Sequence, residues 1–373
     1  MDTKENLTLN KQRLLSLDAF RGFAMMMMLT EISHLNYVLI GIFSGKPVVG
    51  ALVTQLQHHE WNGLYFWDLG QPYFTFVLGI AMALSLSKRL AQGADWSQTF
   101  RHILYRCSIL FLLGLILAIE HNNQLTFELW NILVVLSFNI LITFLIFKFR
   151  NSTQLIISFG LLIIYDMLYR LVSIDGFAQP YIKHHNLGTF MDLVLMGKTN
   201  HDGWVAINAI PTTVHAIWGV LTGKILLSSL SQNRKLSIIT SLGLIGVVMG
   251  YGIDWTGIVP INKHISTSSF MIVSGGFCFL TYAVLYWMID IMNYKKWTIL
   301  FTVVGMNPMF IYLFSATIGR KWLNGFTAIF SEGILGRFFQ STGIIDGVSS
   351  ILAIGFEWYL CYWLFKRKIL IKL

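Results

Sequence analysis

Charge is what this chain has least of. Asp, Glu, Lys and Arg together make up 12% of its 373 residues, while 55% are hydrophobic and mean hydropathy is +0.63. A soluble domain carries roughly 25% charged residues, so this balance excludes an ordinary soluble enzyme and points to an all-α, polytopic membrane protein. Cysteine is scarce as well: Cys107, Cys278 and Cys361 are widely separated inside apolar segments. That excludes a disulfide framework and a thiolate metal site, and no metal is expected. Linkers, low-complexity tracts and internal repeats are all missing. Residues 1–373 therefore read as a single membrane domain, and the lack of a repeat argues against the inverted-repeat transporter folds. No small-residue cleavage site follows the first apolar run, which Asp18 and Arg21 interrupt, so it reads as a retained helix rather than a signal peptide.

A bilayer crossing takes about 20 mostly apolar residues. Ten segments meet that description, near 14–42, 70–87, 103–119, 128–147, 153–173, 204–227, 236–254, 265–292, 298–318 and 343–365. The first is long enough to tilt or to end in a re-entrant turn. The basic residues alternate between the connections. One set of connections, from Lys4, Lys11 and Arg13 through Lys88, Arg89 and Arg101 to Lys366, Arg367, Lys368 and Lys372, holds 17 of the 27 Lys and Arg. The other set holds 7, among them Lys46, Lys183, Lys263, Arg320 and Lys321. By the positive-inside rule, both termini are cytoplasmic and the connections 43–69, 174–203 and 319–342 lie outside as long loops. The net charge of +9 is then a signature of orientation, since it falls in short clusters between spans rather than in a nucleic-acid-binding patch.

Within so apolar a chain, polar clusters stand out. His58, His59 and Glu60 precede Trp61, Asn62 and Gly63, with Asp68 at the start of the second span. A histidine at a membrane boundary can act as a general base near neutral pH, and a carboxylate can orient it. The alternative is an interfacial loop with an aromatic belt of Trp61, Tyr65, Phe66 and Trp67. Asp18 and Arg21, three apart, share a helix face and can pair; so can Glu31 and His34 deeper in the same span. Ionisable groups at such depth mark either a satisfied structural pair or a functional path. Asn208, Pro211 and His215 interrupt the sixth span, where the proline suggests a kink lining a cavity. His215 reads more readily as a hydrogen-bonded bundle residue than as a catalyst. Asn262 and Lys263 form a polar turn before the eighth span, and Asn307–Pro308 marks a break in the ninth.

Taken in order, SLDAFRGF (16–23), the His58–Gly63 motif, the Asp68–Gly79 segment DLGQPYFTFVLG, the 203–224 segment, PINK (260–263) and GMNPMFIY (305–312) resemble the heparan-α-glucosaminide N-acetyltransferase family, including its bacterial membrane members. The resemblance implies an acetyl group passed from cytosolic acetyl-CoA, the only cofactor-like partner expected, to a glucosamine amine on the far side. It assigns the family's active histidine to His58, while His59 falls on a variable position. In animal members an asparagine late in the first helix works beside that histidine; here the stretch reads LTEISH, making Glu31 or Ser33 the replacement. Gly70 and Gln71 also depart from the two apolar residues usual before the proline. The histidine would serve as general base or as a transient acetyl carrier, with Asp68 beside it. The nucleotide end of the donor would remain at the basic cytoplasmic face, near Arg21, Lys88, Arg89 and Arg101, because an anion crosses an apolar bundle at great cost. Residues expected to meet the acceptor, an amino sugar or glycan, are His59, Glu60, Trp61, Asn62, Asn208, Asn262, Lys263 and Asn307. Relatives suggest a homodimer in a bacterial inner membrane, with the His58 loop extracytoplasmic, no nucleic-acid partner, and a lipid bilayer around the bundle. The alternative is an inner-membrane permease for amino sugars such as N-acetylglucosamine or N-acetylmuramic acid.

Overall fold

The structure, a computed structural model, describes residues 14–371; Lys4, Lys11, Arg13 and Lys372 of the charge argument lie outside them. Among the described residues all regular structure is helical. In chain order the helices are α1 Leu15–Ile32, α2 Leu35–Phe43, α3 Pro47–Thr54, α4 Gly70–Ala91, α5 Trp96–Asn122, α6 Ile132–Ile146, α7 Asn151–Leu171 and α8 Leu187–Met196. They continue as α9 Ala209–Leu227, α10 Gln232–Trp255, α11 Ser268–Tyr286, α12 Ile299–Gly305, α13 Pro308–Phe314, α14 Asn324–Leu335 and α15 Thr342–Lys366. Short polar side chains start several of them. Asp95, Asn131, Asn186 and Ser231 each accept a hydrogen bond from a backbone N–H in the first turn of α5, α6, α8 and α10.

Seven helices are long and apolar enough to cross a bilayer, or nine if each of two bent pairs counts as one span. The ten segments read from the sequence all appear as helices, but this criterion does not reach ten. The shortfall is α6, whose 15 residues rise only about 22 Å against a hydrocarbon core of about 30 Å. The first bent pair is α1 and α2, which turn by 68° at His34, a residue in the left-handed region with φ +64°. The second is α12 with the helix beginning at Pro308, bent by 67° where the proline removes a backbone donor, as Asn307–Pro308 predicts. Pro211 makes no kink: α9 begins at Ala209, so the proline occupies a first turn whose N–H groups need no intrahelical partner. The three connections expected as long loops are partly helical, carrying α3, α8 and α14. Each is apolar enough to pack on or beside the bundle, which loop composition alone conceals.

Two close helix crossings hold the site's supports. A Cβ on Gly219 of α9 would lie 2.1 Å from the Phe76 carbonyl oxygen of α4, and one on Gly79 of α4 would lie 2.1 Å from the Ala216 carbonyl oxygen. Only glycine permits these backbones to touch, the small-residue packing by which membrane helices associate. α1 and α12 meet in the same way through Gly22 and Gly305. Between them Phe20, Tyr73, Phe76 and Tyr282 are fully buried. The connections also sort by charge. At one end Lys148 sits 4.2 Å over the Trp96 ring, and Lys224 donates to the Phe147 carbonyl and to Asn151. At the other, Lys198 pairs with Glu128 and Lys321 with Glu120 at 2.8 Å each.

Candidate functional site

The helix end that carries Glu31, the loop before α4 and the turn before α11 converge on one cavity of about 440 Å³. Backbone conformation builds the loop first. Gly63 has φ +141°, and a Cβ there would lie 2.4 Å from the His59 ring, so glycine is required on both counts. Its N–H donates to the Ile261 carbonyl at 2.7 Å, and the Asn262 amide donates to Asn62 at 3.1 Å. Two loops about 200 residues apart are thereby fastened together. Asp68 is the third residue of the helical turn Phe66–Leu69 and caps it, accepting from the Tyr65 N–H at 2.8 Å and from the His59 N–H at 3.3 Å.

These contacts leave His58 between two carboxylates. Its Nδ1 is 3.1 Å from Asp68 Oδ1 and its Nε2 is 3.1 Å from Glu31 Oε1. The Lys263 ammonium lies 2.8 Å from the same Asp68 oxygen, with its side chain 5% exposed and that of Asp68 wholly enclosed. Glu31 differs: its side chain, like that of His58, is 37% exposed toward the cavity, and its second oxygen accepts from the Trp67 indole at 3.1 Å. Asp68 is thus a fixed partner and Glu31 a rim partner. Burial disfavours the His58 imidazolium, but its hydrogen bonds to Asp68 and Glu31 outweigh that and hold its pKa above the ordinary histidine value. Burial lowers the Lys263 pKa against the pull of Asp68. The neighbouring His264 is pushed down to about 3 by burial and by the Lys263 charge, which keeps it neutral. His264 stacks on Trp61 at 5.3 Å and lies against Trp204 at 4.8 Å, and Trp61 donates to the Tyr181 carbonyl at 2.7 Å.

Of the residues singled out from the sequence, His58, Glu31, Asp68, Asn208 and Lys263 line the cavity. Trp61, Asn62 and Asn262 stand behind it and fix the loops, while His59 packs its ring on Tyr65 at 4.7 Å. Glu60 is exposed and does not line the cavity. Asn307 is elsewhere: its amide donates to the Ile369 carbonyl and its oxygen accepts from the Ile371 N–H, tying the α12–α13 break to the chain's last described residues. Arg21, Lys88, Arg89 and Arg101 are also outside the cavity. Arg21 pairs with Asp18 at 3.3 Å, and Lys88 and Arg89 occupy the last turn of α4. Gly70, at the other end of that helix, lines the cavity some 27 Å away at 1.5 Å per residue. Glu31 and His34 do not pair, because the break at His34 turns its ring toward Tyr37. His215 is the bundle residue expected, bonded to the Met271 carbonyl and Ser274.

The opposite wall could not be assembled by reading motifs. Glu120 and His121 end α5, Glu128, Trp130 and Asn131 precede α6, and Trp204 precedes α9. Arg320 comes from a π-helical stretch, Ser315–Leu323, joining α13 to α14. Such stretches recur at functional sites. The one sequence signal was the polar run Glu120–Asn123 closing an apolar helix. Asp192 of α8 accepts from the Trp130 indole at 2.9 Å and from the Ala206 N–H at 2.8 Å, which sets the indole in the wall. Among the described residues no group of three or more His, Cys, Asp or Glu is arranged to hold a metal ion.

No protein-family model matches the chain. Among curated proteins, heparan-alpha-glucosaminide N-acetyltransferase of Homo sapiens is 24% identical over 362 residues, covering 81% of this chain and 52% of that protein. The Mus musculus protein of the same name is 24% identical over 365 residues, covering 81% and 53%. The chain thus spans about half the length of the curated relatives it matches. The resemblance to the heparan-α-glucosaminide N-acetyltransferase family that the sequence motifs carry therefore extends across four-fifths of this helical membrane chain.

Proposed function

We propose that this chain is a transmembrane acetyltransferase that uses acetyl-CoA as donor and an amino-sugar amine as acceptor, with His58 as general base. The observation that carries the reading is the imidazole held between two carboxylates and opening on a cavity of about 440 Å³, in a chain similar to N-acetyltransferases. Asp68, locked by Lys263 and two backbone N–H groups, orients the ring through Nδ1. Glu31, on the exposed side, is the partner that an acceptor would displace from Nε2. His58 Nε2 then takes the proton lost as the acceptor nitrogen bonds to the acetyl carbonyl carbon; the carbon–sulfur bond breaks, and the thiolate of the spent donor is reprotonated. Asp68 keeps a proton on Nδ1, so in the neutral ring the Nε2 lone pair is the one presented to the acceptor once Glu31 is displaced.

The donor's anionic portion would dock at the opposite end of the bundle, where Lys88 and Arg101 are exposed and the basic connections gather. That end faces the cytosol in this reading, and the His58 cavity faces away from it. The relatives' names favour transfer over the amino-sugar permease. The test is acetyl transfer by the purified protein to a panel of amino sugars. His58→Ala should lower turnover by about 100-fold or more while donor binding persists, the range in which general-base catalysis contributes. Undiminished turnover in that variant sinks the assignment.

A further inference from the structure

The charges around the cavity do not balance evenly. Its four carboxylates are all committed: Glu31 to His58, Asp68 to His58 and Lys263, Glu120 to Lys321, and Glu128 to Lys198. Arg320 is the exception among the lining cations. Among the described residues it has no carboxylate partner, and it meets the Nδ1 of His121 at 2.8 Å. A guanidinium only donates, so this nitrogen accepts, and the other N–H groups of the fork stay available at the cavity. The contrast with the next residue is sharp. Lys321 is satisfied by the Glu120 carboxylate, the Glu120 carbonyl and Asn123.

The backbone is shaped to present that arginine. Arg320 lies within the π-helical stretch Ser315–Leu323, which a buried acid in α15 steadies: Ser315 donates to Glu357 at 2.5 Å, and a Cβ on Gly319 would lie 2.6 Å from the same carboxyl oxygen. The widened turn places Arg320 and Ala316 on the cavity side. A planar fork of donors with a neutral acceptor behind it is suited to bidentate recognition of a carboxylate or sulfate.

We propose that Arg320 is a specificity residue of the acceptor site, and that the acceptor is an amino sugar bearing an anionic group that this guanidinium grips while the amine meets His58. The proposal rests on the acetyl-transfer reading for the role of the amine, but the anion site is measurable without any transfer. The experiment is equilibrium binding to the full-length protein in micelles, donor absent, with glucosamine, glucosamine 6-sulfate and muramic acid as probes. The expected result is binding of one or both anionic sugars about tenfold or more tighter than glucosamine, since a charged hydrogen-bonded pair carries at least that much. Arg320→Gln should bring the ratio to near one, and Arg320→Lys should restore part of it; the sulfate and carboxylate arms tell which group is taken. No preference in the unaltered protein, or a preference that survives Arg320→Gln, overturns the proposal. If the ratio behaves as expected and no acceptor is acetylated, the transfer reading fails and the anion site stands.

Discussion

Replacing Asp68 by Asn tests the centre of the site most directly. Asparagine keeps the shape and can still accept from the Tyr65 N–H, but it removes the charge that faces Lys263 at 2.8 Å and His58 at 3.1 Å. With the Lys263 side chain 5% exposed, its ammonium is left buried without its counter-charge. Breaking such a pair from one side costs about 3–5 kcal/mol. Equilibrium unfolding of the detergent-solubilised protein should show that loss. Adding Lys263→Met should recover about 1–3 kcal/mol of it, because the stranded charge is then gone. Function gives a second readout. The His58 pKa stands above 6.5 partly through Asp68, so the acid limb of the pH–rate profile should lie above 6.5 and move to lower pH in Asp68→Asn. Linkage fixes the sign for stability. A histidine that binds its proton more tightly when folded contributes most below its unfolded pKa of 6.5, and that contribution is lost as pH rises through the raised value. A cost below about 1 kcal/mol, or strict additivity with Lys263→Met, would refute the account of a shared buried charge cluster.

Two further substitutions probe the scaffold and the donor end. Gly219→Val should destabilise the protein by about 1–3 kcal/mol or more, since its Cβ would lie 2.1 Å from the Phe76 carbonyl; a thermal melt matching the unaltered protein contradicts that crossing. The double replacement of Lys88 and Arg89 by Gln should weaken acetyl-CoA binding at least severalfold and steepen no other loss, measured by titration; unchanged affinity would move the donor's anionic portion away from the last turn of α4.

The legible part of this molecule was what short-range pattern controls. Apolar run lengths located every long helix, and Asn307–Pro308 marked a real bend. His58 and Asp68 were visible because they fall within one motif, ten residues apart, and Glu31 because a carboxylate deep in an apolar helix is costly unless used. What remained hidden depends on tertiary closure. Arg320 and Glu120 read as loop charge and a helix end, and only the folded bundle brings them to one wall. Pro211 misled because a proline in a first turn and one in a kink look alike when the helix start is a few residues uncertain. Asn307 misled differently, since a polar residue amid apolar ones suggests a ligand although here it caps backbone groups near residues 369 and 371.

The fastening of the His58 loop to the turn before α11 has a consequence for biogenesis. The ribosome delivers Glu31, His58 and Asp68 long before Lys263, about 200 residues later, yet Asp68 is enclosed in the finished protein. Until that later turn emerges, Asp68 has only His58 and the Tyr65 and His59 N–H groups as partners, and the buried cation that completes its surroundings is still to come. Docking of the 260–263 turn is therefore the step that completes this wall of the cavity, late in the synthesis of the chain.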